Sequence, residues 1–551
     1  MEFTSVNKIY QEAFKKNWDR PAISNYQGIT LHYRDVARRI EKMHIMFEEC
    51  GLQKGDKVAL CSRNQANWAV AFLSTMTYGA VPVPLLHEFK SSNIHHLVNH
   101  SEAKILFVDD VIWEGLSETE MPDLHAIIQV NTFKLLYAKD ENITQAREHL
   151  NELFGRKYPN AFTKDDLNYY EDSAEELAII NYTSGTSGFS KGVMLPYRAV
   201  LSNIEFAKTV LPGLDNTKSV VSMLPSAHMY GLMFELLYEL SVGAHVHFLS
   251  RIPSPKIIMQ ALAEVKPYII IAVPLVIEKI YKTKVKPILE KEGIRVLMKL
   301  PLLNQVLLNK IRTELINAFG GEFYEVIIGG AAFNKEVEGF FKKINFPFTV
   351  GYGMTECAPI ISYDDWSVEK LYSCGKAAPN MQIRIASADP VNLPGEIQVK
   401  GDNVFLGYFK NEEATAEVFT EDGWFRTGDM GVLDEDGSLF IKGRTKCMIL
   451  GPSGQNIYPE EVETVINSQP YVVDSLVVED DGGLTALIYP DFQQGARDGM
   501  KQEDFVKFIE GTLPELNKEL PNYAKLKKIE VMSEDFERTP KKSIKRYLYQ
   551  R

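Results

Sequence analysis

Short apolar runs alternate with stretches of helical spacing along the first four-fifths of the chain. Lys57–Cys61 is such a run, Asn67–Tyr78 has the spacing of a helix, and Gly79–Val83 is the next apolar run. The same rhythm returns at Ala103–Val108, at Ala244–Phe248 and at Tyr268–Val273. Apolar runs without polar alternation belong to strands covered on both faces, and strands alternating with helices predict α/β layers with parallel sheets. The pattern changes after Gly395. Short strands at Glu396–Val399, Gly431–Leu433 and Leu439–Ile441 are separated by Gly/Asp turns, and Asp436-Gly437 suits a tight hairpin. A smaller α+β segment is expected from about residue 447, with a boundary near Gly443–Lys446.

The chain has 551 residues, too many for one core, so at least two domains are expected. Its formal net charge of -13 repels nucleic-acid phosphates and speaks against a nucleic-acid partner. Five scattered cysteines, Cys50, Cys61, Cys357, Cys374 and Cys447, have neither zinc-site spacing nor an even count. They suit a reducing compartment. The N-terminus lacks the basic start and apolar run of a signal peptide, and Ile269–Val273 is too short to span a bilayer. The expected location is the cytoplasm, with the inner face of a membrane as a place of contact.

Tyr182–Gly192, reading YTSGTSGFSKG, carries the most chemistry. It follows a probable strand at Leu177–Ile180. Gly185, Gly188 and Gly192 permit backbone turns that let amide N–H groups converge on an anion. Thr183, Ser184, Thr186, Ser187 and Ser190 offer hydroxyls, and Lys191 adds positive charge. Ser190 and Gly192 flank that lysine where a Walker A loop needs glycine and Ser/Thr. The bland alternative is a solvated Ser/Gly linker, which rarely sits between two apolar strands.

This loop resembles the signature of the AMP-forming acyl-adenylate superfamily, which includes acyl-CoA synthetases, luciferases and peptide-synthetase adenylation domains. The resemblance runs from about residue 20 to the C-terminus. Gly351–Glu356 (GYGMTE) is similar to the second core motif. The resemblance implies that Tyr352 stacks on the adenine beside Gly353, Thr355 touches the α-phosphate and Glu356 holds Mg²⁺. Gly329-Gly330-Ala331 resembles the turn that passes close to the adenine. Trp424–Asp429 (WFRTGD) resembles the ribose motif, with Asp429 as acceptor of both hydroxyls, and Gly443–Lys446 (GRTK) matches the hinge motif. Arg444 would then lie by the ribose or phosphate, and Lys446 would be the hinge residue. Leu224–Gly231 (LPSAHMYG) resembles the segment bordering the acyl site, which gives His228 a part in shaping the pocket.

Val273–Tyr281 (VPLVIEKIY) resembles a segment of long-chain fatty acyl-CoA synthetases, with Leu275 where arginine is usual. Ser453–Glu463 is similar to the same subfamily, and Gly454 would line the pantetheine tunnel. The family's C-terminal lysine falls on Ser543 here, flanked by Lys542 and Lys545. Either lysine is a candidate substitute.

The implied fold is α/β. A large N-terminal domain (1–443) of layered α/β subdomains with a distorted β-barrel leads through a hinge (444–446) to a small mobile C-terminal α+β domain (447–551). The implied activity is ATP-dependent fatty acid:CoA ligation with Mg²⁺, through an acyl-adenylate. The catalytic group would be Thr186, Lys191, Glu356, Lys542 and Lys545. Partners would be a fatty acid, ATP and coenzyme A, with transient membrane contact, and the oligomeric state stays open. The alternatives are an acyl-AMP or acyl-carrier-protein ligase, a luciferase, and a catalytically weak acyl-nucleotide binding protein.

Overall fold

The computed structural model describes residues 3–183, 190–250, 254–291, 293–294, 298, 300–450, 456–480, 483–539 and 543–550. The alternation of apolar runs and helices folds as α/β layers. A five-stranded sheet orders Val81–Leu85, Lys57–Cys61, Ala103–Val108, Ala126–Gln129 and Leu135–Ala138. Its first four strands are parallel and the last is antiparallel. The expected strand at Gly79–Val83 starts later, because Gly79 (φ +87°) closes the preceding helix in the left-handed region. Pro82 and Pro84 are tolerated there because the strand is at the sheet edge.

A second sheet joins Ser219–Ser222, His245–Phe248, Pro21–Asn25 and Thr30–His32. A third is a short parallel sheet of Ile269–Ala272, Glu325–Ile328 and Phe348–Val350, with the middle strand paired to both others. Parallel order means that the three strands end on one edge. The part expected as a distorted barrel is built of antiparallel ribbons. Met381–Ala386, Gly395–Gly401, Phe425–Leu433 and Leu439–Arg444 form one sheet. Tyr352-Gly353, Ile360–Tyr363 and Lys376-Ala377 form another. The Asp436-Gly437 hairpin is present, with Gly437 at φ +82° and the Ser438 carbonyl accepting from Asp434 N–H at 3.0 Å.

One continuous core runs from Val6 to Leu439. A separate core, from Ile457 to Ile529, lies inside the C-terminal segment. There Val472–Asp480 and Gly483–Pro490 pair antiparallel, and Leu526–Val531 adds in parallel. The two regions meet at Gly443, where a β-carbon would come within 2.9 Å of Glu460 Oε2 and 3.1 Å of Tyr458 Cβ. Lys442 and Glu461 form an ion pair across this junction at 3.5 Å. Among the described residues no helix is long and apolar enough to cross a membrane.

Candidate active site

In open parallel sheets, ligands bind beyond the carboxyl ends of the strands. The third sheet brings two motifs to that edge. Glu325–Ile328 runs into Gly329-Gly330-Ala331, and Phe348–Val350 runs into Gly351-Tyr352. Gly351 N–H donates to the Ile328 carbonyl at 2.9 Å, so the two exits are adjacent. Gly330 has φ +86°, which a side chain would strain, and Ala331 is exposed beside it. Gly353 is required for space: a β-carbon there would fall 2.2 Å from the Pro359 carbonyl oxygen.

Tyr352 is buried, and its hydroxyl donates to Asp429 Oδ2 at 2.7 Å. Asp429 reaches this position from the long strand Phe425–Leu433. Gly428 turns the chain at φ +73°, and the Thr427 hydroxyl accepts from Asp429 N–H at 3.1 Å. Across the ladder Asp429 faces Arg444, whose Nε lies 3.4 Å from Asp429 Oδ1. Burial raises the Asp429 carboxyl, while Arg444 and the Tyr352 hydroxyl oppose that rise. The Arg444 side chain is 63% exposed, so this pair is water-screened and is worth little to stability. Lys446 follows in a single exposed turn, Thr445–Cys447.

Thr355 and Glu356 are buried in the short helix Thr355–Cys357. Glu356 Oε1 accepts from the Tyr408 hydroxyl at 3.0 Å. The Lys191 ammonium stands over the Tyr408 ring at 4.6 Å, a cation–π contact. Tyr408 therefore joins the loop lysine to the candidate metal carboxylate. Sequence reasoning missed Tyr408, because only the pairing of Gly407-Tyr408 with Lys191–Pro196 brings it there. Thr183 and Lys191 are cross-strand partners where the antiparallel strands Leu177–Thr183 and Lys191–Pro196 pair. Ser184, Gly185, Thr186, Ser187 and Gly188 lie outside the described residues, as do Gly454 and Lys542.

Among the described residues no cluster of three or more His, Cys, Asp or Glu could cage a metal. A lone carboxylate fits Mg²⁺ all the same, since that ion is commonly held by one or two carboxylates together with substrate phosphates. His228 caps the helix that begins at Met229, with its carbonyl accepting from Leu232 N–H at 2.8 Å. Tyr230, in the first turn of that helix, donates to the Ile327 carbonyl at 3.0 Å, just before the Gly329-Gly330 turn.

Lys545 is engaged elsewhere. Its ammonium pairs with Glu537 at 3.1 Å, inside an antiparallel tail hairpin where Arg538 faces Ile544. Ser543 belongs to that hairpin, its carbonyl accepting from Thr539 N–H at 2.8 Å. Arg546, which the sequence did not single out, fastens the tail to Glu463 and stands 3.7 Å from Glu460. Burial pushes Glu463 up to about 7, against the attraction of Arg546. The structure thus joins Tyr352, Asp429 and Arg444 in one group and Lys191, Tyr408 and Glu356 in another, with Thr355 next to Glu356 in sequence, and holds Lys545 on a partner of its own.

Comparison with known proteins gives the family and the fold. The sequence model of the AMP-binding enzyme family matches residues 10–409, and that of the AMP-binding enzyme C-terminal domain matches residues 448–551. Long-chain-fatty-acid–CoA ligase FadD15 of Mycobacterium bovis is 26% identical, over 93% of this chain and 89% of its own length. A long-chain-fatty-acid–CoA ligase of Escherichia coli is 27% identical, over 92% and 88%. Among solved structures, ATP-bound MatB from Rhodopseudomonas palustris has the same fold, with a TM-score of 0.77 at 23% identity over 99% and 98% of the two chains. Anthranilate CoA ligase AuaEII, in complex with anthranoyl-AMP, reaches a TM-score of 0.79 at 17% identity over 99% and 96%. With most of its length under these two sequence models, the chain belongs to the AMP-binding enzyme family.

Proposed function

We propose that this protein is an ATP-dependent fatty acid:CoA ligase acting on long-chain acids. The observation that carries the reading is the group at the end of the third sheet: a buried Tyr352 hydrogen-bonded to Asp429, with Glu356 close by in sequence. A flat aromatic offers a face to a purine, and a fixed carboxylate accepts from two ribose hydroxyls. The names of the relatives support the acid class, and the Val273–Tyr281 segment points the same way.

A carboxylate is a poor partner for a triphosphate, because both are anionic. The enzyme must neutralise the α-phosphate and align the acid for in-line attack. Glu356 would hold Mg²⁺, which supplies charge neutralisation at the phosphates when bound. Lys191, Thr186 and the glycine amides of the loop would bind phosphate oxygens, and Thr355 the α-phosphate. Acid attack on that phosphorus gives the acyl-adenylate and releases pyrophosphate. The small domain, bounded at about residue 447, would then turn about Lys446 and bring Gly454 toward pantetheine, a hinge transition. The CoA thiolate attacks the acyl carbon, and AMP leaves.

The test is AMP release from ATP and Mg²⁺ with a panel of fatty acids from short to long, each with and without CoA. CoA-dependent release with thioester formation, best with long chains, is expected. Acyl-AMP formed without CoA turnover identifies an acyl-AMP or carrier-protein ligase instead. Nucleotide binding without pyrophosphate release identifies a binding protein.

A further inference from the structure

Ser222–Gly231 leads from the end of a strand into the first turn of a helix and carries His228. Three polar side chains from different places hold its backbone. Glu235, 1% exposed, accepts from Met223 N–H at 3.1 Å, from Leu224 N–H at 3.0 Å and from the Ser222 hydroxyl at 3.1 Å. Asn64 accepts from Ser226 N–H at 2.7 Å and donates to the Leu224 carbonyl. Asn181, 1% exposed on the strand that enters the phosphate loop, donates to the Ala227 carbonyl at 2.9 Å.

Burying a carboxyl is unfavourable unless hydrogen bonds compensate, and an apolar residue would fill the same volume without that penalty. Burial does push Glu235 up, to about 8, even against these donors. Packing alone therefore does not explain the choice of residue. Glu235 also sits in a π-helical turn, Met233–Leu237, within an otherwise α-helical run, and such turns are frequent at functional sites. Gly231 closes the segment tightly: a β-carbon there would meet Leu224 Cβ at 2.9 Å.

We infer that Glu235 is a positioning residue for the acid, clamping Ser222–Leu224 so that the following residues hold the His228 segment, which by resemblance borders the acyl pocket, in one place. The inference rests on the ligase reading given above. Glu235 makes none of the contacts that link Tyr352, Asp429 and Glu356, and the Tyr230 bond to Ile327 does not pass through it. Its loss is therefore expected to bear on the acid more than on the nucleotide.

The test pairs kinetics with hydrogen exchange on Glu235→Ala, Glu235→Gln and Ser222→Ala. In Glu235→Ala, kcat/KM for the acid is expected to fall roughly 10- to 100-fold while KM for ATP stays within about twofold. Glu235→Gln, which keeps one acceptor oxygen, falls less, and Ser222→Ala shifts the acid kinetics a few-fold in the same direction. Amide exchange at Met223 and Leu224 should quicken in both Glu235 variants. Unchanged exchange, or acid and ATP constants that move together, overturns the clamp. Should the Glu235 variants fail to fold, Ser222→Ala and Asn64→Ala decide, and unaltered acid kinetics in both overturns it. A wild-type enzyme inert with every acid refutes the ligase reading and the role toward acid with it, while exchange still reports whether the clamp exists.

Discussion

Two regions carry the candidate chemistry, and they differ in how far it is assembled. At the end of the third sheet, Tyr352 and Asp429 hold each other, Arg444 faces Asp429, and Tyr408 ties Glu356 to Lys191. Tyr352, Asp429 and Glu356 are each held by a side chain from a distant part of the chain. In the C-terminal tail, Lys545 is paired with Glu537 of its own hairpin, and Arg546 anchors that hairpin to Glu463. The group at the sheet end is assembled from distant parts of the chain. The tail is held on the small core through Arg546 and Glu463.

The largest expected effect breaks the group at the sheet end. Glu356→Ala removes the one candidate metal carboxylate, and acid-dependent pyrophosphate release should fall roughly 100- to 1,000-fold, the scale of losing a well-placed electrostatic group in a closed site. Asp429→Ala comes next. It takes away the proposed ribose acceptor and the partner of the Tyr352 hydroxyl, and hydrogen bonds to a charged group are worth about 1.5–3 kcal/mol. A rise in KM for ATP of roughly 10- to 100-fold is the outcome to look for by steady-state kinetics. Tyr408→Phe keeps the ring under Lys191 and deletes only the hydroxyl on Glu356, so turnover should fall by about 3- to 10-fold. Smallest is Lys545→Ala. Its pair with Glu537 is exposed enough that stability should change by less than about 1 kcal/mol by thermal melting. Adenylation should slow less than threefold, whereas Lys542→Ala should slow it more. Equal, large losses at both lysines would erase the contrast between the regions.

Most of the strands were legible in the sequence, as were the residues that meet at the end of the third sheet. Parallel strands announced themselves because burial on both faces leaves runs such as Ile269–Ala272 uniformly apolar. Tyr352, Glu356 and Asp429 stood in contiguous motifs, so they were legible locally as candidates. Residues that act through tertiary pairing were silent. Tyr408 reaches Glu356 only because Gly407-Tyr408 joins the strand that follows the loop. Glu235 sits among apolar neighbours in MFELL, where no local pattern reveals which carboxyl lies inside. The tail hairpin was illegible for a similar reason: Arg538 to Tyr547 reads as a basic tail until Glu537, Asp474 and Glu463 are seen to neutralise it.

The Tyr352–Asp429–Glu356 region is proposed to make an acyl-adenylate. The most direct measurement of this is the exchange of labelled pyrophosphate into ATP, run with a long-chain fatty acid and Mg²⁺ in the absence of CoA. Exchange should require the acid in the wild-type protein and be nearly abolished in Glu356→Ala and Asp429→Ala. Exchange that ignores the acid, or survives undiminished in both variants, would contradict the proposal.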